Sequence, residues 1–567
     1  MLSYEMTFRE RESLGGAVVD FAERSRRVDE LFAQYDQAHT PGLIVVVTQG
    51  GEIVHLKGYG RANIEFDEPW TPDTRYAIAS VTKQFIGAAL LLLEDQGELS
   101  LEDEIQRFLP EMPRYERPIS IRHMLNMASG IKIDEDIALD FAGDNGLMTL
   151  DYLYEGIVTK LRSLNFLPGD HVVYSCSNYR LAARIIERVT GKPINEAMTE
   201  LLFAPLGMNS TLMHTHYGEV YPGQGYLYEW NEDGIWRRYE SGIPSSGDGA
   251  IVSTVSDMLR WIGQIRENTL GVLNFYQRWT STSELTDGSR GGYGLGIGVG
   301  TFRGFPALQH GGLYGTQLMY LPEQDLAVYV ARNRNDLPVA ALAREVADIY
   351  LLDQPDATAA DVGLRWYGYP EGEDDHYWLA WQGRYVQPEY GYILDLTTYR
   401  GAFAAALLGA TEPLRPISRN RFVSAAYSSA FKLEIEERGD GQPPVVRADA
   451  GKGRWLVFEP APADGAAPSP DDFLGDYFND EAEIWQRVLV HDDRLTLRLS
   501  RGQHPSLLLP MVPVAPDIFQ AGGLALKFIR DASGAVAAVS ESTNRVRDMY
   551  FERALTPGPS PASGRGE

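Results

Sequence analysis

Cysteine is almost absent from the chain: Cys176 is the single one in 567 residues. No intrachain disulfide can form, so the fold must be held by its own core, without the cross-links of small secreted domains. Basic residues are scarce too. Lys and Arg number 51 against 78 Asp and Glu, for a formal charge of −27. That charge repels phosphate backbones and anionic headgroups, which sets aside nucleic acid and a membrane surface as partners. Long apolar runs are missing: the strongest, Phe85 to Leu93, stops at Glu94 and Asp95 and is too short to span a bilayer. The opening stretch MLSYEMTFRERESLGG mixes acids and bases where a secretory leader needs unbroken apolar residues. A cytoplasmic location is the expectation. Two chemical signatures are absent as well, the Gly-x-Ser-x-Gly elbow and the Gly-x-x-x-x-Gly-Lys phosphate loop. His214 and His216 lack an evident third ligand and read as loop residues, so neither a metal nor a cofactor is expected.

What is present is an ordinary globular composition, 44% hydrophobic and 23% charged, in a chain too long for one core. Three compact units are expected. In the first, helical periodicity over residues 17 to 36 gives way to two β-rich runs, Leu43 to Thr48 and Glu52 to Gly60, around the hairpin signal Gln49-Gly50-Gly51. A helix from Ser80 to Gln96 is apolar on nearly all sides and must be buried. Further helices fit Asn178 to Thr190, with Gly191 as stop, and Val255 to Ile265. β-rich runs follow at Tyr293 to Val299, Ala307 to Gln309 and Thr316 to Val330, before a last helix from Val339 to Leu352. Strands at both ends with helices between suit an α/β (α+β) unit with a central antiparallel sheet flanked by helices.

The acidic, Pro- and Gly-containing text of residues 353–376 reads as a connection. Beyond Tyr377 helical periodicity disappears. Trp381-Gln382-Gly383-Arg384-Tyr385 opens one β-rich segment and Phe473-Leu474-Gly475-Asp476-Tyr477 another of similar length, each suited to a small antiparallel β-barrel. The expected division is 15–352, a connection at 353–376, barrels at 377–459 and 471–554 joined by the Pro/Ala-rich 460–470, and a disordered tail at 555–567.

The chemistry gathers in the first unit. Ser80-Val81-Thr82-Lys83 puts a hydroxyl and an amine on one face at the start of the buried helix, close enough to touch. A serine hydroxyl becomes a strong nucleophile only when a base takes its proton, and helix-start amides near it can donate to a developing oxyanion. Alone, the string could equally be a helix cap and a surface lysine. Two further segments follow in order. Tyr174-Ser175-Cys176-Ser177-Asn178-Tyr179 comes after Pro168-Gly169 and leads into a helix, and His310-Gly311-Gly312 ends a β-rich run, where glycine lets a ligand lie close to the strand. Tyr174 is suited to proton relay beside a lysine.

The segment Tyr76-Ala77-Ile78-Ala79-Ser80-Val81-Thr82-Lys83-Gln84-Phe85 resembles the active-site segment of D-aminopeptidases and class C-like β-lactamases, within the serine β-lactamase/penicillin-binding protein superfamily. The Tyr174 and His310 segments resemble that family's second and third motifs, although Cys176 stands where the family usually has asparagine. The resemblance implies a β-lactamase/transpeptidase-like fold with Ser80, Lys83, Tyr174 and His310 as catalytic residues. It places Gly312, Leu313, Cys176 and Asn178 at oxyanion or substrate-binding positions, the Leu313 N–H completing an oxyanion hole with that of Ser80. It covers residues 15 to 352 and extends more faintly to both barrels, the layout of D-aminopeptidases. The implied function is a serine hydrolase working through an acyl-enzyme on D-amino-acid amides, peptides or esters. An esterase or weak β-lactamase is the alternative, and a non-turnover penicillin-binding or peptidoglycan-sensing protein the alternative of another class. A small-molecule or short-peptide substrate is expected, with a homodimer left open. The resemblance further implies that a loop of the last barrel reaches the active site; the turn at Ala521-Gly522-Gly523 is short for that task.

Overall fold

The computed structural model describes residues 21–352, 377–462 and 469–554, apart from 145–146, 217–218, 232, 240–241, 314, 400, 426–430, 440–441, 452–453 and 500–506. The expected connection at 353–376, the middle of the one at 460–470, and the tail at 555–567 lie outside the described residues.

Leu43-Ile44-Val45-Val46-Val47 carries an aliphatic side chain at every position, the pattern of a strand covered on both faces. It forms the strand Leu43–Gln49 in a six-stranded, fully antiparallel sheet. The spatial order is Gly298–Phe302, Phe305–Gly312, Thr316–Leu321, Leu326–Arg332, Leu43–Gln49, Glu52–Tyr59. Alternation sends side chains of the Leu43–Gln49 strand two ways. Leu43, Val45 and Val47 pack with Val28, Phe32 and Val346, from the helices Phe21–Phe32 and Val339–Tyr350. Ile44 and Val46 join a larger core with Phe85 and Ile86 of the Thr82–Asp95 helix. One face thus carries the two outer helices and the other the buried helix.

The run from Thr316 to Val330 is not one strand. It folds back at Asp325, whose φ is +44, so Thr316–Leu321 pairs with Leu326–Arg332 as a hairpin. Apolar residues on both sides of a short polar turn hid the break. The expected strand from Tyr293 to Val299 begins only at Gly298, and Tyr293 and Leu295 are core residues of a loop.

Two closed eight-stranded antiparallel barrels follow, from Gly383–Gln387 to Trp455–Pro460 and from Gly475–Asn479 to Met549–Arg553. The sequence repeat has a structural basis. Tyr385 O–H donates to the Trp381 carbonyl at 2.8 Å, and Tyr477 O–H donates to the Phe473 carbonyl at 2.8 Å. Each barrel also ties its first two strands with one Arg–Asp pair, in opposite order: Arg384 with Asp395, and Asp476 with Arg487.

Candidate active site

The approach to Ser80 is bent. The strand Tyr76–Ala77 ends, Ala79 takes a φ of +47, and Ser80 sits in the 3₁₀ turn Ala79–Val81 before the α-helix starts at Thr82. A non-glycine residue in this region is strained, and the surrounding packing must hold it there. Ser80 therefore precedes the α-helix, whose first turn had been expected to contain it. The i, i+3 spacing still stacks the two side chains, and Lys83 Nζ lies 3.1 Å from Ser80 Oγ.

Lys83 is fully buried, while Ser80 is half-buried. Its ammonium donates to the Asp248 carbonyl at 2.7 Å and points to Cys176 Sγ at 3.7 Å. It also lies 4.9 Å from the centre of the Tyr174 ring and 5.7 Å from that of Tyr179. Ser80, Tyr174 and Cys176 thus surround the Lys83 amine.

Cys176 opens the helix Cys176–Thr190. Burial, with Glu135 adding to it, pushes its thiol well above the ordinary range, so it is an apolar neighbour of Lys83 and a poor nucleophile. Asn178 lies elsewhere. It is completely buried, its Oδ1 accepts from Ser129 Oγ at 2.7 Å, and its Nδ2 faces Met127 Sδ at 3.5 Å. The structure therefore uses Asn178 to tie the helix to the Met127–Ser129 loop, where the sequence reading had a substrate-binding group.

His310 is buried in the strand Phe305–Gly312. Its Nδ1 lies 2.8 Å from the Gly311 carbonyl, which can only accept, so the proton belongs on Nδ1 and Tyr293 O–H donates to Nε2 at 2.6 Å. Burial and the charge of Lys83 hold its pKa down at about 3, so the imidazole is neutral. The next glycines bring the strand against the serine turn. A Cβ on Gly312 would lie 2.4 Å from the Ile78 carbonyl oxygen and 3.0 Å from Ala79 Cβ, and Thr316 Oγ1 donates to the same Ile78 carbonyl at 2.8 Å. Leu313 follows on the open side and is 76% exposed.

Several residues here had no motif to announce them. Arg180 is buried and pairs with Asp134, Glu135 and Asp248. Burial opposes its charge, but those three acids hold its pKa well above the ordinary value. Among the described residues, Glu135, Cys176 and Asp248 bring potential metal-ligating atoms within 4.8 Å of one another. Arg180 and Lys83 already supply the cations there. Tyr293 fixes His310, and the turn Thr543–Asp548 of the second barrel reaches this region. Asn165 Nδ2 donates to the Arg545 carbonyl at 2.7 Å, the Arg547 N–H donates to Asn165 Oδ1 at 2.8 Å, and Arg545 pairs with Asp136 at 2.6 Å. The Ala521-Gly522-Gly523 turn is not the one that docks; Gly523 approaches Gly409 of the first barrel. These contacts join residues hundreds of positions apart, and no local spacing encodes them.

The Beta-lactamase family model matches residues 28–351, more than half of the chain. The chain belongs to that family, and it is a serine hydrolase. A D-aminopeptidase of Gluconobacter oxydans (strain 621H) is 24% identical over 532 residues, covering 90% of this chain and 96% of that protein. A D-aminopeptidase of Brucella canis (strain ATCC 23365 / NCTC 10854 / RM-666) is 26% identical over 539 residues, with 90% and 96% covered. An octameric penicillin-binding protein homologue from Pyrococcus abyssi has a similar fold, with a TM-score of 0.53 at 21% identity, over 78% of this chain and all of that one. No helix among the described residues is long and apolar enough to cross a membrane.

Proposed function

We propose that the protein hydrolyses amide or ester bonds of D-amino-acid derivatives through an acyl-enzyme on Ser80. The observation that carries this is the 3.1 Å contact between Ser80 Oγ and the buried Lys83 Nζ. Two relatives named D-aminopeptidase, aligned over nine-tenths of the chain, support the substrate class. Lys83 enters this step as the free amine, which alone can take the proton as Ser80 Oγ bonds to the substrate carbonyl carbon, and the carbonyl oxygen becomes an oxyanion. The backbone N–H groups of Ser80 and Leu313 receive that oxyanion, the close packing of Gly312 on Ile78 and Ala79 favouring their approach. As the intermediate collapses, the leaving amine or alcohol takes the proton back by way of Tyr174, whose ring faces Lys83. Water then attacks the ester by the reverse route and frees Ser80. His310, neutral and fixed by Tyr293, shapes the strand edge and adds no charge of its own.

The test is a panel of D- and L-amino-acid amides, p-nitrophenyl esters and a chromogenic cephalosporin on the purified protein, with Ser80→Ala beside it. Multiple turnovers on D-substrates, loss of activity in Ser80→Ala, and a mass increase on Ser80 in quenched samples are expected. Activity retained in Ser80→Ala would overturn the proposal. Acylation with no release of product would assign the protein to the sensor class instead.

A further inference from the structure

The three parts of the chain meet around a cavity of about 420 Å³. Tyr174 and His310 form one wall, Leu407 and Phe431 of the first barrel an apolar one, and Arg545 and Arg547 of the second barrel a cationic one. The two arginines differ. Arg545 is paired with Asp136 at 2.6 Å. Arg547 is 4% exposed, donates through Nη1 to the Ala450 carbonyl, and leaves Nε without a partner; among the described residues no carboxylate pairs with it. The acids beside it make their hydrogen bonds elsewhere, Asp548 to the Tyr392 hydroxyl at 3.0 Å and Asp449 to the Gly451 N–H at 3.1 Å, and Asp449 feels the Arg547 charge without bonding to it.

A buried guanidinium without an acid is costly, and a fold that keeps one has a use for an anion. Its surroundings are built to hold it in place. The Arg547 backbone is clamped by Asn165 and Lys132, and His171 stands close enough to the guanidinium to feel its charge. At Gly451, with φ +76, a Cβ would lie 2.9 Å from both Arg547 Nη1 and His171 Cδ2, so glycine is what lets the guanidinium and the imidazole approach. His171 is 1% exposed and its Nδ1 has no partner. Burial, followed by the charge of Arg547, holds its pKa at about 3, so it is neutral and the cation of the pair is Arg547. Glu412 also lines the cavity from the first barrel, which directs an anionic group to the Arg547 side.

We propose that Arg547 and His171 form a carboxylate subsite in the same cavity as Tyr174 and His310, selecting D-amino-acid peptides with a free carboxylate over capped amides. This rests on Ser80 being the acylated residue, but the subsite can be measured without turnover. The probes are D-alanylglycine and D-alanylglycinamide, which differ by one negative charge, titrated calorimetrically into full-length Ser80→Ala. The free acid should bind about tenfold more tightly, the worth of one charge-assisted bond. Adding Arg547→Gln should bring the two affinities within about twofold, and Arg547→Lys, which keeps the charge but loses the planar fork, should fall between. A general disturbance of barrel docking would weaken both ligands together and leave their ratio alone. Equal binding of acid and amide by Ser80→Ala, or a ratio that neither Arg547 variant moves, would overturn the subsite. Hydrolysis by the wild type is scored separately: a tenfold binding ratio with no turnover of either probe would keep the subsite and count against the hydrolytic reading of Ser80.

Discussion

At the scale of single residues, the proposed chemistry depends on two contacts of opposite legibility. The Ser80–Lys83 contact follows from spacing, because residues three apart on a helical turn face the same way. If Lys83 and Tyr174 are one proton-transfer unit, Lys83→Ala and Tyr174→Phe should each lower kcat/KM by about 10²–10⁴-fold, and the double variant should be little worse than the poorer single one. Additive losses in that cycle would separate the two. The contact of Gly312 with Ile78 and Ala79 was legible only as a glycine after a histidine; its partner lies more than two hundred residues away. Gly312→Ala would press a methyl into the Ile78 carbonyl and Thr316 Oγ1, at 2.4 and 2.3 Å. Overpacking of this kind costs about 1–3 kcal/mol. We expect a lower urea midpoint and a fluorophosphonate labelling rate at Ser80 reduced further than the stability loss explains, since the strand that presents Leu313 must move. Asn178 was misplaced for a related reason. Its position in the motif was visible, but the Ser129 hydroxyl that captures it was not.

At the scale of elements, the buried helix and the paired β segments were readable because one pattern in each stretch dominated: apolar on all sides at Thr82–Asp95, alternating in the barrels. The hairpin inside Thr316–Arg332 was lost because its turn carries neither glycine nor asparagine. Buried acids, too, carry no sequence signal. Glu541 lies on the inside of the second barrel, where Gln486 Nε2 donates to it at 3.1 Å and to the Phe141 carbonyl at 2.9 Å. Burial raises its pKa to about 8, from 4.5 in the open chain. The folded form therefore binds a proton that the unfolded chain releases, so this contribution to stability is complete below pH 4.5 and is lost as pH rises to 8. Asp134 and Asp136, raised by burial to about 6 and about 7, act in the same direction over lower windows. Glu541→Gln keeps the acceptor for Gln486 and removes the charge. The variant's unfolding free energy should match the wild type near pH 5 and exceed it near pH 8, by an amount on the order of 3 kcal/mol. A difference independent of pH would show that Glu541 titrates normally.

At the scale of the whole molecule, the question is whether the first unit is chemically complete by itself. The cores give an asymmetric answer. Most apolar residues around Ser80 and Lys83 belong to the large cluster that includes Ile78, Phe85 and Leu308, with no barrel residue in it, while Cys176 belongs to the cluster shared with the second barrel. Ile133, Ile137, Phe141 and Leu161 belong instead to a cluster shared with Phe473, Tyr477 and Phe528 of the second barrel. Polar contacts follow the same seam, through Asn165 with Arg547, Asp136 with Arg545, and Arg162 with Asp480. A chain ending at Leu352 would expose that apolar layer and leave Asp136 without its arginine, so it should unfold at lower temperature and tend to aggregate. The contacts of Lys83 with Ser80 Oγ and the Asp248 carbonyl are internal to the first unit and should persist. Such a fragment, once circular dichroism shows it folded, should still label at Ser80 with a small fluorophosphonate at a rate within about tenfold of the full chain, because nucleophile activation and the oxyanion donors are local. Its choice among substrates should change more, since the barrels supply two of the three walls of the cavity beside Tyr174. A folded fragment with no labelling at Ser80, alongside a full chain that labels readily, would mean that the second barrel holds the 133–176 layer in its reactive arrangement, and that the catalytic unit extends across that seam.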